Sequence, residues 1–592
     1  MDHLNTKKTM FIFFLLFGFA LLVRAVYFVE FKQNPFFNYI HSTMDSMNAH
    51  KGAVEIARGN LLLDKGGFKY PFYSYFVAAV YALTDHKIYA VWVVQFILGA
   101  IAAALLFFIG VSFFNIYVGI IASVLFALYG ANLFYEGIML RAALTEFLAV
   151  VSLFFLLRME RKTSYGNLFL SGVSLSMMVQ CRPNTVVLLP LVFLYVFFWA
   201  FRNDGAKHRL KYLTVLVFIV MIAGTPLLLR GVYVEKKFQF FDPGGPHVFL
   251  MGNLVDYDGL GWHNGSPQFK AYMETSGDRI HDYGWVLKEI TNEIGADPLA
   301  FLMLYLRKAY YFLSNYEIPS NQNFYVYRDF SHLLKSPLNS FALVAALSLL
   351  GFIVSLKNYR DNLLLYIFVL GMSGSALIFY NVARLRMPAV PFFLLLASVG
   401  IFSLFQFIKG KRYIQFVGAV IMVGGVVWCL SRPHNPKIRA NDYGMLGNAY
   451  YAREMYDESI SAFMNSLAVN PNDAVSHYNV GISHSKKGRY EDAVSHFRKA
   501  VEIDPGFVGA QNYLGLMLSE QGRVSDAIRC FSEALKIDPQ NVNIQNNLGI
   551  AYARKGNFKD AALHFSEAVR LSPDNNAARV NLERCLKLLK KK

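Results

Sequence analysis

The stretch YIQFVGAVIMVGGVVWCLSRPHNPKIRANDYG, residues 413–444, changes solvent part-way along. From Tyr413 to Leu430 it carries no charge, and a run of that length and apolarity reads as a helix that crosses a bilayer. From Ser431 onward Arg432, Lys437 and Arg439 are set among prolines and polar residues, a composition suited to water. Working outward in both directions, the chain divides at this seam. Residues 1–430 read as an all-α, many-spanning membrane body, 431–440 as a linker, and the remainder as a water-soluble helical array. At 592 residues the chain is too long for one ordinary domain.

Upstream, the apolar runs that predict spans are 9–29, 88–109, 114–133, 139–157, 164–181, 183–201, 212–229, 338–356, 362–380, 387–408 and 413–430. These must be helices, because an open sheet would leave backbone groups unpaired in lipid. The first run follows Lys7 and Lys8, ends in Val26-Tyr27-Phe28-Val29-Glu30 and lacks a small-residue cleavage site, so it reads as an uncleaved first span. The stretch 71–84 is apolar but short, which predicts a partial or membrane-surface helix.

The net charge of +17 would suit nucleic acid, but its placement points elsewhere. Lys7–Lys8, Arg158–Arg161–Lys162, Arg202–Lys207–Arg209–Lys211, Lys357–Arg360 and Lys409–Lys411–Arg412 fall on one side if the spans alternate. The positive-inside rule makes that side the cytoplasm, with the N-terminus there and the body in a plasma or inner membrane. The long segments 30–70 and 230–337 then lie outside, and so does the tail, against which Arg432, Lys437 and Arg439 argue weakly. The four cysteines, Cys181, Cys429, Cys530 and Cys585, are scattered without metal-ligand spacing, so neither a zinc site nor a disulfide framework is expected. No phosphate loop, HExxH or GxSxG element is present.

Loops as long as the two outer segments carry function more often than they merely connect. Asp45, in the first, has no basic neighbour in sequence. Near an apolar wall its carboxylate could act as a general base; as a plain loop acid it would cap a helix. Arg384 and Arg386, between two spans, could together grip a phosphate leaving group, or could anchor the helix at lipid headgroups. Glu136 and Arg141, close to one helical turn apart, are expected either to pair with each other or to bind substrate. Arg182 and Lys308 add candidate phosphate ligands, and Glu317 a further polar candidate.

The order Asp45…Ala53…Ile56-Ala57-Arg58-Gly59-Asn60…Tyr70-Pro71-Phe72-Tyr73 resembles the first loop of the polytopic GT-C glycosyltransferases, closest to the protein mannosyltransferase-like group. Asn381-Val382-Ala383-Arg384-Leu385-Arg386-Met387-Pro388 looks like that group's Arg-x-Arg-x-Pro element. Gly252-Asn253 and Tyr316-Glu317-Ile318-Pro319 look like its outer-loop motifs. The resemblance implies a GT-C-like membrane fold, an isoprenoid-phosphate sugar donor and a first-loop aspartate as catalytic base, a role that falls on Asp45. The chain departs from the group's Asp-Glu pair, since Ser46 follows Asp45, which leaves divalent metal use open.

Downstream of the seam, Pro471, Pro505, Pro539 and Pro573 recur every 34 residues, in step with Gly447, Gly481, Gly515 and Gly549 and with Phe463, Phe497, Phe531 and Phe565. That is the tetratricopeptide period, predicting four helical hairpins over 441–576 stacked as an α-solenoid, and a capping helix over 577–592. Asn512, Asn546 and Asn547 could bind a peptide backbone or be ordinary polar surface. The leading expectation is a membrane glycosyltransferase whose tail holds an acceptor protein or peptide. The alternatives are an O-antigen ligase or polymerase, and a membrane-anchored scaffold without catalysis.

Overall fold

The computed structural model describes residues 6–40, 45–63, 71–161, 164–202, 204–235, 245–258, 266–319, 322–379, 382–432 and 438–590. Tyr70, Lys162, Asn381 and Lys437, named above, lie outside them. Helix is the regular structure of the described residues, which include no strand. They form two compact units, Met1–Pro436 and Lys437–Lys592.

The first unit begins with α1 (Thr6–Gln33), α2 (Asp45–Ala57), α3 (Pro71–Thr84), α4 (Ile88–Phe113), α5 (Ile116–Leu128), α6 (Gly130–Glu136), α7 (Arg141–Arg161) and α8 (Tyr165–Cys181). There follow α9 (Leu188–Tyr195), extended by tighter and looser turns at its two ends, and α10 (Ala206–Glu235). A small helical layer comes next: α11 (Gly245–Met251), α12 (Pro267–Ser276), α13 (Tyr283–Ala296), α14 (Pro298–Leu313), α15 (Phe324–Arg328) and α16 (His332–Lys335). The unit closes with α17 (Phe341–Ser355), α18 (Tyr359–Leu377), α19 (Ala383–Arg386), α20 (Val390–Lys409) and α21 (Tyr413–Leu430).

Among the described residues eight helical runs are long and apolar enough to cross a membrane, or nine if the bent pair α5–α6 is one span. Eleven apolar runs were expected, and the difference has physical causes. The run Phe341–Leu377 counts once by length. Yet the Tyr366 hydroxyl lies 2.8 Å from that of Ser355, and its ring centroid 5.0 Å from that of Phe352. Residues 14 apart along a straight helix would stand about 21 Å apart, so the chain reverses at Leu356–Asn358 and the run is a hairpin of two passes. Tyr165–Cys181, at 17 residues, sits at the short limit for crossing. The Pro71–Thr84 helix has only 14 residues and packs on α2 and α4.

Both ends of the bundle are marked by hydrogen bonds. At one end Trp199 Nε1 donates to the Arg360 carbonyl (3.1 Å) and Arg161 donates to that of Ser112, which gathers the basic loops. At the other end Arg230 donates to the carbonyls of Leu62 and Leu63 (2.8 and 3.2 Å), tying the first long loop to the end of α10. There too Asn253 donates to the Ile378 carbonyl (2.8 Å) and the Asn315 amide to that of Leu430 (3.2 Å). Both long loops therefore sit at the same end as the exit of α21.

The second unit is the helix series α22 (Ala440–Ala452), α23 (Tyr456–Val469), α24 (Ala474–Lys486), α25 (Tyr490–Ile503), α26 (Val508–Glu520), α27 (Val524–Ile537), α28 (Val542–Arg554), α29 (Phe558–Leu571) and α30 (Asn576–Lys590). Consecutive helices pack pairwise, and α30 lies on α29. A Cβ at Gly515 would come 2.6 Å from the Phe531 ring, and the other three repeats show the same approach. The 34-residue register of glycine and phenylalanine is thus a helix-crossing contact.

Candidate active site

Asp45 is the first residue of α2. Arg384 comes from the four-residue helix α19, 339 positions later, and its Nη1 lies 2.5 Å from Asp45 Oδ2. The carboxylate that lacked a basic neighbour in sequence has one in space. Asp45 keeps 36% of its side chain exposed and Arg384 keeps 12%. Arg182, at the C-terminal end of α8, donates from Nη1 to the Arg384 backbone carbonyl at 2.6 Å. That contact fixes the backbone from which the Arg384 guanidinium projects.

Arg386 does not share this position. It is 3% exposed and pairs with Glu317, itself 4% exposed, while its Nη1 donates to the carbonyls of Phe312 (2.9 Å) and Ser314 (3.1 Å). Its guanidinium also stacks 4.0 Å above the Phe341 ring. The expectation that Arg384 and Arg386 grip one phosphate together is corrected by helical geometry. Positions i and i+2 on a helix point about 200° apart, so one guanidinium faces Asp45 and the other faces inward. Burial pushes the Glu317 carboxyl above its ordinary range, and Arg386 pulls it back. The Ala383 amide donates to the Ile318 carbonyl at 3.2 Å, so this buried pair and the Asp45–Arg384 pair sit on one piece of backbone.

A second correction concerns Glu136. It pairs with Arg24 rather than with Arg141: Arg24 Nη2 reaches Glu136 Oε1 at 2.6 Å and Nε reaches Oε2 at 2.8 Å. Glu136 ends α6 and Arg141 begins α7. The turn between them breaks the helical spacing on which the expected pair depended. Both Arg24 and Glu136 are buried, and a Cβ at Gly99 would fall 2.1 Å from Glu136 Oε1, so glycine makes room for the carboxylate. Gln95 donates to the carbonyls of Glu136 (2.7 Å) and Ile138 (2.9 Å) and accepts from Tyr73 (2.6 Å). Arg141 lies near Tyr73 and Cys181, and its carbonyl accepts from Thr145 at 2.7 Å.

Sequence reasoning passed over Arg24 and Gln95, and named Tyr73 only within the first-loop resemblance. Arg24 had a signal, since a lone arginine inside an apolar run needs a partner. Tyr135 lies within electrostatic reach of Glu317, Arg386, Arg384 and Arg182.

Lys308 lies on the inner face of α14. Its Nζ donates to the Gly252 carbonyl (2.9 Å) and stands 4.6 Å over the Tyr305 ring. Burial pushes its pKa down to about 7. The Tyr305 hydroxyl meets Asn253 Oδ1 at 2.6 Å, and Asn253 reaches the end of α18, so Lys308 belongs to the layer beside α18. Next to Asp45, Ser46 lines a crevice walled by Phe31, Phe36, Tyr39, Trp92 and Tyr327. Among the described residues no group of three or more His, Cys, Asp or Glu could hold a metal ion.

The comparisons with known proteins divide along the same seam. Residues 67–227 match the family described as dolichyl-phosphate-mannose-protein mannosyltransferase. That segment contains Glu136, Arg141 and Arg182, whereas Asp45, Lys308, Glu317, Arg384 and Arg386 lie outside it. Residues 438–505, 515–556 and 542–575 match tetratricopeptide-repeat families. No curated protein matches the chain.

Similar solved structures include YrrB, titled a TPR protein with an unusual peptide-binding site (21% identity, 30% of this chain and 86% of that one, TM-score 0.23). Two others are pilF of Pseudomonas aeruginosa (21%, 26% and 69%, 0.24) and MamA (20%, 28% and 93%, 0.22). The chain joins a membrane domain like that of the dolichyl-phosphate-mannose-protein mannosyltransferases, of the GT-C type, to a C-terminal array of tetratricopeptide repeats.

Proposed function

We propose that the chain transfers a sugar from a polyprenyl-phosphate donor in the membrane to a hydroxyl of an acceptor protein on the extracytoplasmic face. One observation carries the reading: a partly exposed carboxylate, Asp45, and a cation, Arg384, meet at 2.5 Å where both long loops converge. Asp45 accepts the proton of the acceptor hydroxyl as its oxygen attacks the anomeric carbon. The bond from that carbon to the phosphate oxygen breaks, and the phosphate leaves with the electron pair. Arg384, with its backbone steadied by Arg182, receives the charge that develops on the leaving phosphate. Lys308 is the further candidate for the donor phosphate. The repeat array holds the acceptor or a partner protein, and the N-terminus is cytoplasmic. The likeness of 67–227 to mannosyltransferases supports the reaction class.

The test is purified protein with a labelled polyprenyl-phosphate sugar. Asp45→Asn is expected to cut transfer to about a hundredth or less, with membrane insertion and melting temperature kept. Transfer at the natural rate in that variant overturns the assignment. Sugar recovered on Ser or Thr of a protein, rather than on a glycan, separates this reaction from a glycan ligase.

A further inference from the structure

Helix α14 has two apolar faces and only one of them is covered. Leu304, Lys308 and Phe312, spaced four apart, are buried. Opposite them Leu299, Leu302, Met303 and Leu306 are 68%, 54%, 51% and 54% exposed. Their spacing of i, i+3, i+4 and i+7 places them in one stripe. A water-facing helix does not carry four large aliphatic side chains in a row without a partner.

Three observations indicate what covers it. First, the helical register carries the stripe on to Tyr310, whose hydroxyl donates to the Cys429 carbonyl (3.3 Å) at the end of α21. Second, α21 is a membrane span with only 6% of its apolar window buried, so the protein leaves its flank to lipid. Trp428, near its end, is 66% exposed, with the Arg432 guanidinium 4.8 Å above its ring, an arrangement typical of headgroup depth. Third, α14 has 16 residues, about 24 Å of helix, too short to cross and long enough to lie at a surface.

We propose that α14 is an interfacial anchor, with Leu299, Leu302, Met303 and Leu306 immersed in the acyl region of the leaflet on the Asp45 side. The stripe is continuous with the flank that α21 presents to lipid, and it is purely aliphatic, without the polar partners that a specific protein interface carries. Immersion sets the depth of the whole helix. It therefore holds Lys308, on the opposite face, close to the plane of the lipid phosphates. That last consequence rests on the reading of Lys308 as a donor-phosphate ligand; the immersion itself does not.

The test uses the full chain in lipid nanodiscs, in a background where the natural cysteines are replaced by serine. Nitroxide labels are placed at Leu302→Cys and Leu306→Cys, with Asn292→Cys on α13 as the water-facing control. Power saturation compares dissolved oxygen, which concentrates in the bilayer, with a water-soluble nickel complex. Labels at 302 and 306 are expected to relax at least about threefold more with oxygen than with nickel, and the label at 292 in the reverse order. Nickel access at 302 and 306 equal to that at 292 would place the stripe in water and overturn the proposal. Dipolar broadening between labels on separate chains would overturn it in favour of a second copy. The readout is depth, not sugar transfer, so the two proposals fail separately.

Discussion

Arg384 and Arg386 stand two positions apart and serve different ends. Arg386 and Glu317 are a desolvated pair, and taking away one member strands the other as a buried charge. Arg386→Met is therefore expected to lower stability by about 3–5 kcal/mol, with Glu317→Gln milder. Arg384→Met removes the charge from a partly exposed pair. It should leave melting nearly unchanged while lowering kcat with the lipid-linked donor about a hundredfold, because the charge that Arg384 meets develops only as the phosphate leaves. Thermal melting in detergent and turnover at saturating donor check both halves; an unchanged kcat in Arg384→Met would return that residue to a structural role.

Asp45, Glu317 and the two arginines of α19 could be picked out in the sequence, because acids and arginines at the outer ends of the spans are few. Their partners could not. Asp45 meets Arg384 across 339 positions and Glu136 meets Arg24 across 112, distances over which local spacing carries no information. The expected Glu136–Arg141 pair failed for a local reason, the turn at Gly137–Leu140.

At the scale of elements, the repeat register was read directly from Gly, Phe and Pro, because each unit repeats one crossing contact. The membrane body is less transparent, since apolar runs mark passes but not their bends. The break between α5 and α6 emerges only from the structure, whereas the turn at Leu356–Asn358 falls where the sequence already separates 338–356 from 362–380.

The second repeat also carries a feature that its pattern hides. His496 Nδ1 lies 3.1 Å from His477 Nδ1, and its ring stacks on His484 at 5.7 Å. Burial and the neighbouring rings hold His496 down to about 4, and His477 and His484 are also lowered, despite Asp492 and Asp473 nearby. A lowered histidine means that the unfolded chain binds more protons below its ordinary value of about 6.5. Stability is whole above that value and falls with pH down to about 4. The array 438–592 is expected to melt about 5 °C lower at pH 4.5 than at pH 7, with the difference at least halved in His496→Gln. Equal pH dependence in the two would show that these rings are not the cause.

For the whole molecule, the proposed division of labour separates chemistry from acceptor capture. A chain ending at Ser431 is expected to transfer sugar to a short hydroxyl-bearing peptide within about twofold of the natural rate. Its apparent KM for the full acceptor protein should rise about tenfold or more. Equal KM values in the two chains would detach the array from acceptor binding.

The end-to-end bonding of the bundle has a further consequence, for biosynthesis. Gln33, where α1 ends, and Leu430, where α21 ends, lie at the same end of the bundle as Asp45, so the start of α1 at Thr6 and the exit at Ser431 lie at opposite ends. In the proposed orientation, with the N-terminus in the cytoplasm, some 160 residues of tail would have to be threaded across the bilayer after the last span is laid down. Long segments translocate largely regardless of their charge, so Arg432, Lys437 and Arg439 would not block the passage. An array whose contacts join only neighbouring hairpins suits that route, since each repeat can fold on its predecessor as it emerges. The four cysteines, all unpaired, leave that refolding no disulfide to wait for.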